Sequence, residues 1–253
     1  MSTNSSSRAE RFAHLCSVVA LFMRDHVLSR VSHDLRSPLN AIHSWAYVLE
    51  RKIDPADTAA QRAIAGIRTG VEQQVQLLEK IVDTTRNETR KLKLDIEPFP
   101  ADAMINDAID DARIALADER GVTIVERGMP CGGKVNGDEE RCDQALWLML
   151  VFAVEASARG ATVTLDVGTD NAQLQVVVGF VMAVQALTDE TLAHRLEGFA
   201  RVQARGPQDG GQAPWVLALC QRVAESHGGH FHAEPLADGE PAKLTLALPA
   251  LAI

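Results

Sequence analysis

Residues 32–40 read "SHDLRSPLN", and the place of Pro38 in that stretch decides how the first half of the chain is built. On both sides of it the apolar residues keep a helical beat. Leu21, Leu28, Leu35, Ile42 and Leu49 recur at intervals of seven, with Val31 and Trp45 at companion positions. A proline inside a helix costs about 3 kcal/mol or more, because it removes a donor and crowds the preceding turn. A helix that carries one here is expected to use the bend: the Asp34 carbonyl loses its partner and the chain opens just beyond His33. In this register His33 lies farthest from the apolar stripe and faces solvent. Asp34 can reach the near imidazole nitrogen, which fixes the tautomer and leaves the far nitrogen nucleophilic.

The beat predicts one long helix from about Arg8, a turn at "RKIDPADT" (51–58), and a second helix whose stripe is Ile64, Ile67, Val71, Leu78 and Ile81. Two helices with one stripe each cannot bury both faces. Pairing two hairpins into a four-helix bundle solves this, so a homodimer is expected. The polar start "MSTNSSSRAE" has no charged-then-apolar order and reads as a short disordered tail.

The 253 residues are 46% hydrophobic, enough for a packed core without staples. Cys16, Cys131, Cys142 and Cys220 form no CxxC pair, which argues against a disulfide framework or zinc site and for a cytoplasmic setting. The most apolar runs, "CSVVALFM" and "LWLMLVFAV", are under half the roughly 20 residues that span a bilayer, so no membrane segment is expected. A net charge of −9 disfavours nucleic acid as a partner.

From "KLKLDIEPFP" onward short β-type runs alternate with helices. The strand-like segments are "KLKLDI", "GVTIVE", "ATVTLDV", "AQLQVVVG", "HFHAEP" and "AKLTLALP". The helical ones run through "ADAMINDAIDDARIALAD", "DEERCDQALWLMLVFAVEAS" and "PWVLALCQRVAESHG". The fold class is therefore α+β: a helical hairpin followed by an α/β sandwich.

"SHDLRSPLNAI" resembles the H-box of two-component sensor histidine kinases, whose histidine takes up a phosphoryl group and passes it to an aspartate on a response-regulator receiver domain. The second half resembles the same family's ATP-binding domain over nearly all its length, through "VNGDEERCDQAL", "LEGFARV", "HGG" and the closing "LTLALP". With the polar tail read at 1–10, the resemblance implies a dimerisation and phosphotransfer hairpin at 11–94 and an ATPase-type domain at 95–253. It makes His33 the phospho-acceptor and Asp34 its general base. Ser37 stands where the family often has a Thr that positions water for dephosphorylation. Arg36 either serves the incoming phosphoryl group or is simply solvated, and Pro38 supports the bend.

Holding ATP and Mg²⁺ takes an amide or carbonyl ligand for the metal, a carboxylate for the adenine amine, and glycines beside the phosphates. The two asparagines of the family fall on Leu148 and Phe152. Its Asp-x-Gly-x-Gly turn falls on Met182, Val184 and Ala186, and its later Gly-x-Gly on Pro214 and Val216. The nearby Gly210 and Gly211 read as a flexible loop. The expectation is a degenerate nucleotide site and no cofactor in this chain, with Mg²⁺ supplied by the receiver. Some histidine phosphotransferases borrow the kinase scaffold in this way, and that function is expected here: phosphoryl transfer from one receiver to another through His33. An ATP-dependent sensor kinase with an atypical site, and a non-catalytic scaffold or pseudokinase, are the alternatives.

Of the smaller signals, His227, His230 and His232 in "HGGHFH" could bind a metal, but no carboxylate or cysteine stands at ligand spacing. Asp138 to Glu140 match a helix N-terminus. Trp147 and Phe152 read as core, and His26 and His43 lack the context of His33.

Overall fold

The structure, a computed structural model, describes residues 2–89, 94–128, 133–170, 172–205 and 213–251, with side chains for all of these except 2–9 and 82–89. The chain divides into two compact units. One is Arg24–Leu92; the other joins Met1–Met23 to Lys93–Ile253.

The smaller unit is a helical hairpin made from the later part of α1 (Ser2–Glu50) and from α2 (Thr58–Thr89). Asp57 starts α2 by accepting the Ala60 amide at 3.0 Å, and Asp54 accepts the Ala56 amide at 2.9 Å, so the turn is built by the acids the sequence offers. The helices run antiparallel, tied by Arg68–Glu50 at 2.7 Å, His43–Glu72 at 3.5 Å and Arg36–Glu79 at 3.1 Å. Ala46, Ile64 and Val71 are buried between them. Leu35, Ile42, Leu49, Ile67 and Ile81 stay exposed, and Trp45 is 68% exposed. One hairpin thus covers only part of its apolar stripe.

Two expectations for this half need correction. Residues 2–10 continue α1 rather than forming a disordered tail, as turns added to a helix already nucleated downstream. The hairpin does not begin at residue 11. Leu15, Val19, Phe22 and Met23 are buried within the larger unit, which takes in the chain up to Met23. By length and composition alone, the helix over Glu10–Glu50 is long and apolar enough to cross a membrane. Helix α1 is assigned without a break through Pro38.

The larger unit is a seven-stranded sheet covered by helices. Its strands are β1 (Glu97–Pro100), β2 (Thr123–Arg127), β3 (Lys134–Gly137), β4 (Thr162–Asp170), β5 (Gln173–Val181), β6 (His230–Ala233) and β7 (Pro241–Leu251). They lie in the order β1-β3-β7-β5-β4-β2, with β6 also on β7. Among the described residues only β2 and β4 pair in parallel. Helix α3 (Ala101–Ala112) passes through a π turn at Arg113–Ala117 into a last turn, α4 (Asp118–Arg120). It packs on α5 (Glu139–Glu155), which also meets α7 (Ala218–Ser226) and strands β4 and β5. Between β5 and α7 come a 3-10 turn, Val184–Leu187, and the short helix α6 (Gly198–Ala204).

Helix α5 is apolar all round and buried from Cys142 to Glu155, as a helix roofed on both sides must be. Asp138 caps it, accepting the Arg141 amide at 3.0 Å, while its other oxygen accepts the Asp95 amide at 3.0 Å. The strand expected over "KLKLDI" lies later, at Glu97–Pro100; residues 91–93 are outside the described residues, and Asp95 and Ile96 are not in a strand. Strand β3 and helix α6 carry too short a pattern to read from periodicity.

Candidate functional site

His33 projects from α1 with 84% of its side chain exposed, and its Nδ1 lies 3.3 Å from Asp34 Oδ1. Although neighbours on a helix do not normally face each other, the short Asp side chain closes the distance along the surface. The second oxygen of Asp34 is engaged by Arg30, one turn earlier, at 3.4 Å. An imidazole whose Nδ1–H is shared with a carboxylate presents Nε2 as its lone-pair nitrogen, the arrangement a nucleophile needs. Ser37 and Pro38 are exposed on the same helix. Arg36 reaches away to Glu79 on α2 at 3.1 Å, and the cation that pairs with Asp34 is Arg30, which the sequence reading did not single out.

The seven positions that a nucleotide would need lie in the other unit. Leu148 and Phe152, on α5, are fully buried, and Phe152 meets Phe180 edge-on with ring centroids 6.1 Å apart. Met182, Ala186, Pro214 and Val216 are buried and Val184 is half-buried. None of these side chains carries an oxygen or nitrogen, so the residues present do not fit a magnesium–nucleotide pair. Val216 borders a cavity of about 20 Å³ that Cys16, Val19, Met23, Trp147 and Arg195 also line. Gly210 and Gly211 lie outside the described residues.

The polar groups nearby are turned on one another. Glu155, at the end of α5, is wholly buried. Its Oε1 accepts the backbone amides of Arg195 at 2.6 Å and Leu196 at 2.9 Å, and its Oε2 lies 3.0 Å from His194 Nδ1. Arg120, from α4, is buried as well and donates to the carbonyls of Ala193 at 2.8 Å, Glu155 at 2.9 Å and Ala186 at 3.2 Å. Burial pulls its guanidinium below the ordinary arginine value, and the Glu155 charge works in the opposite direction. Arg201 donates to the Leu187 carbonyl at 2.6 Å. The segment between the 3-10 turn and α6 is thereby fastened to α5 and α4. Sequence reading missed this network. Its one signal was Glu155 itself, a lone carboxylate at the end of an apolar run, which needs partners if buried.

The remaining residues have structural places. His227 is buried; its Nε2 accepts the Asp138 amide at 2.9 Å and its Nδ1–H donates to the Val223 carbonyl at 2.7 Å. His230 and His232 are exposed on β6. Among the described residues, no group of three or more His, Cys, Asp or Glu could hold a metal ion. Cys16, Cys142 and Cys220 are free thiols, and burial pushes Cys142 up to about 12; Cys131 lies outside the described residues.

Residues 23–90 match the family model described as the His Kinase A (phospho-acceptor) domain. A crystal structure of a histidine kinase from Burkholderia phymatum is 46% identical, with a TM-score of 0.79, covering 96% of this chain and 99% of that one. An uncharacterized sensor-like histidine kinase of Rhizobium meliloti is 25% identical over 227 residues, covering 88% of this chain and 42% of its own length. The sensor protein DivL of Caulobacter vibrioides is 26% identical over 228 residues, covering 88% of this chain and 28% of its own. The chain thus spans less than half the length of these curated relatives.

Proposed function

Because the chain belongs to the two-component histidine kinase family, we propose that it acts as a histidine phosphotransferase in two-component signalling, taking a phosphoryl group from a response-regulator receiver and passing it to another without using ATP. In the first step His33 Nε2 attacks the phosphorus of a receiver aspartyl phosphate. The P–O bond to the receiver breaks, its aspartate leaves as a carboxylate, and the Nδ1 proton moves onto Asp34. The second step is the reverse on another receiver, with Asp34 returning the proton. The receiver holds the Mg²⁺ that neutralises the transferring group. The unburied remainder of the stripe around Trp45, Ile42 and Leu49 supports a homodimer, in which a second hairpin covers it. A cytoplasmic setting is part of the same reading.

The observation that carries it is the contrast between the two units. His33 is open to solvent and paired with Asp34, while every position expected to touch a nucleotide bears an apolar side chain, in the unit that also holds the buried Glu155 and Arg120. A second reading, ATP-dependent autophosphorylation of His33, draws on the 46% identity to a protein described as a histidine kinase. One experiment separates them. The purified chain is titrated calorimetrically with ATP and Mg²⁺, then offered radiolabelled ATP or a phosphorylated receiver. No nucleotide heat, with label taken only from the receiver and lost in His33→Ala, supports the proposal; saturable ATP binding followed by labelled His33 establishes the second reading.

A further inference from the structure

We propose that Arg30 is a positioning residue for His33, acting through Asp34; the inference rests on the reading of His33 as the phospho-acceptor. A surface Asp on a helix has several rotamers, and only some of them bring an oxygen to the imidazole of the preceding residue. Asp34 offers two oxygens and both are engaged: Oδ1 faces His33 Nδ1 at 3.3 Å and Oδ2 faces Arg30 Nε at 3.4 Å. The Arg30 pair spans i to i+4, where side chains on one helix face meet, and it is only half-exposed on the arginine side, at 35%. Arg30 therefore holds the carboxylate in the one orientation that keeps the proton on Nδ1 and the lone pair on Nε2. Arg36, the arginine within the motif, is directed to Glu79 and does not serve this purpose.

The mechanism makes a specific demand. The Nδ1 proton must be handed to Asp34 as the N–P bond forms, so the carboxylate has to be in place before attack. Without Arg30, Asp34 samples rotamers that point away, and the ring shifts toward the Nε2–H tautomer, whose outward nitrogen has no lone pair to donate.

The test uses the full chain with ¹⁵N-labelled histidine, as wild type, Arg30→Gln and Arg30→Lys, with helicity checked by circular dichroism. Long-range ¹H–¹⁵N spectra at alkaline pH, where imidazole is neutral, report the His33 tautomer ratio, and phosphoramidate serves as a partner-free phosphodonor followed by ³¹P spectra. Arg30→Gln is expected to move His33 toward Nε2–H and slow labelling about tenfold, part of the 10²–10⁴-fold range of a positioned base, with Arg30→Lys recovering most of both. An unchanged tautomer ratio in Arg30→Gln overturns the inference. If wild-type His33 accepts phosphorus neither from phosphoramidate nor from a receiver, the phospho-acceptor reading fails instead, and the tautomer comparison still decides the role of Arg30.

Discussion

Glu155 holds Arg195 by its backbone: the buried carboxylate accepts the Arg195 amide at 2.6 Å, and the Leu196 amide at 2.9 Å through the same oxygen. A charge taken out of water needs such partners, and here they come from a loop 40 residues away in sequence. Where the family resemblance implies a pocket, α5 therefore ends in a clasp that draws the 189–197 segment onto the core.

Removing that carboxylate should be costly. Glu155→Ala leaves the Arg195 and Leu196 amides and His194 without their shared acceptor and removes the negative charge 3.9 Å from Arg201, and the loss expected on breaking a buried pair is about 3–5 kcal/mol. Glu155→Gln keeps one oxygen for the two amides and should lose less. Urea denaturation of both variants measures the difference; equal midpoints for Glu155→Ala and wild type would show that the clasp is not a stabilising element.

Phe152 provides an independent test of the proposal that the nucleotide site is filled. It is fully buried and edge-on to Phe180. Phe152→Ala should cost about 3–5 kcal/mol through the cavity it leaves. Phe152→Asn, which reinstates the residue type that the resemblance implies, should destabilise at least as much and still give no thermal shift with ATP and Mg²⁺. A nucleotide-dependent rise in Tm would mean that the surrounding site is intact.

Much of this was legible in the sequence, and the parts that were not share a cause. The hairpin followed from the spacing of Leu35, Ile42 and Leu49, and α5 from its continuous apolar run, because both signals are periodic and long. His33, Asp34 and Pro38 were legible as a motif. The clasp was not, because Arg120, Glu155, His194 and Arg201 are brought together by topology and no spacing along the chain announces them. The packing of Leu15, Val19 and Met23 within the larger unit was hidden for another reason: one unbroken helical beat runs through residues that the fold assigns to different units.

The "HGG" tripeptide can be tested at its third residue. Gly228 has φ +74°, in the left-handed region that favours glycine, and a Cβ on Gly229 would lie 1.9 Å from the Ala247 carbonyl oxygen on β7. Backbone cannot yield as a flexible side chain can. Gly229→Ala should therefore cost about 1–3 kcal/mol or more, as overpacking does, read as a fall in the midpoint of denaturant unfolding. Insensitivity at this position would mean that β6 can move off β7 without loss.

Arg11 supplies the pH test. Its guanidinium bridges Asp111 at 2.7 Å and Asp143 at 2.8 Å, joining α1 to α3 and α5. Burial pushes the Asp143 carboxyl up to about 6; Arg11 pulls it down, and Asp111 and Asp107 on α3 push it further up. Because the folded value lies above the ordinary carboxyl value of 3.8, the folded state binds this proton more tightly. The stability contributed is fully present below about pH 4 and is lost as pH rises through about 6. Arg11→Gln removes the counter-charge and leaves two neighbouring carboxylates. It should destabilise by about 1–2 kcal/mol near pH 7.5, less than for a fully buried pair because Arg11 is 41% exposed. Near pH 5, where Asp143 carries its proton, the deficit should shrink. Urea unfolding at the two pH values decides it: a deficit that is the same at both would remove Asp143 as the titrating group.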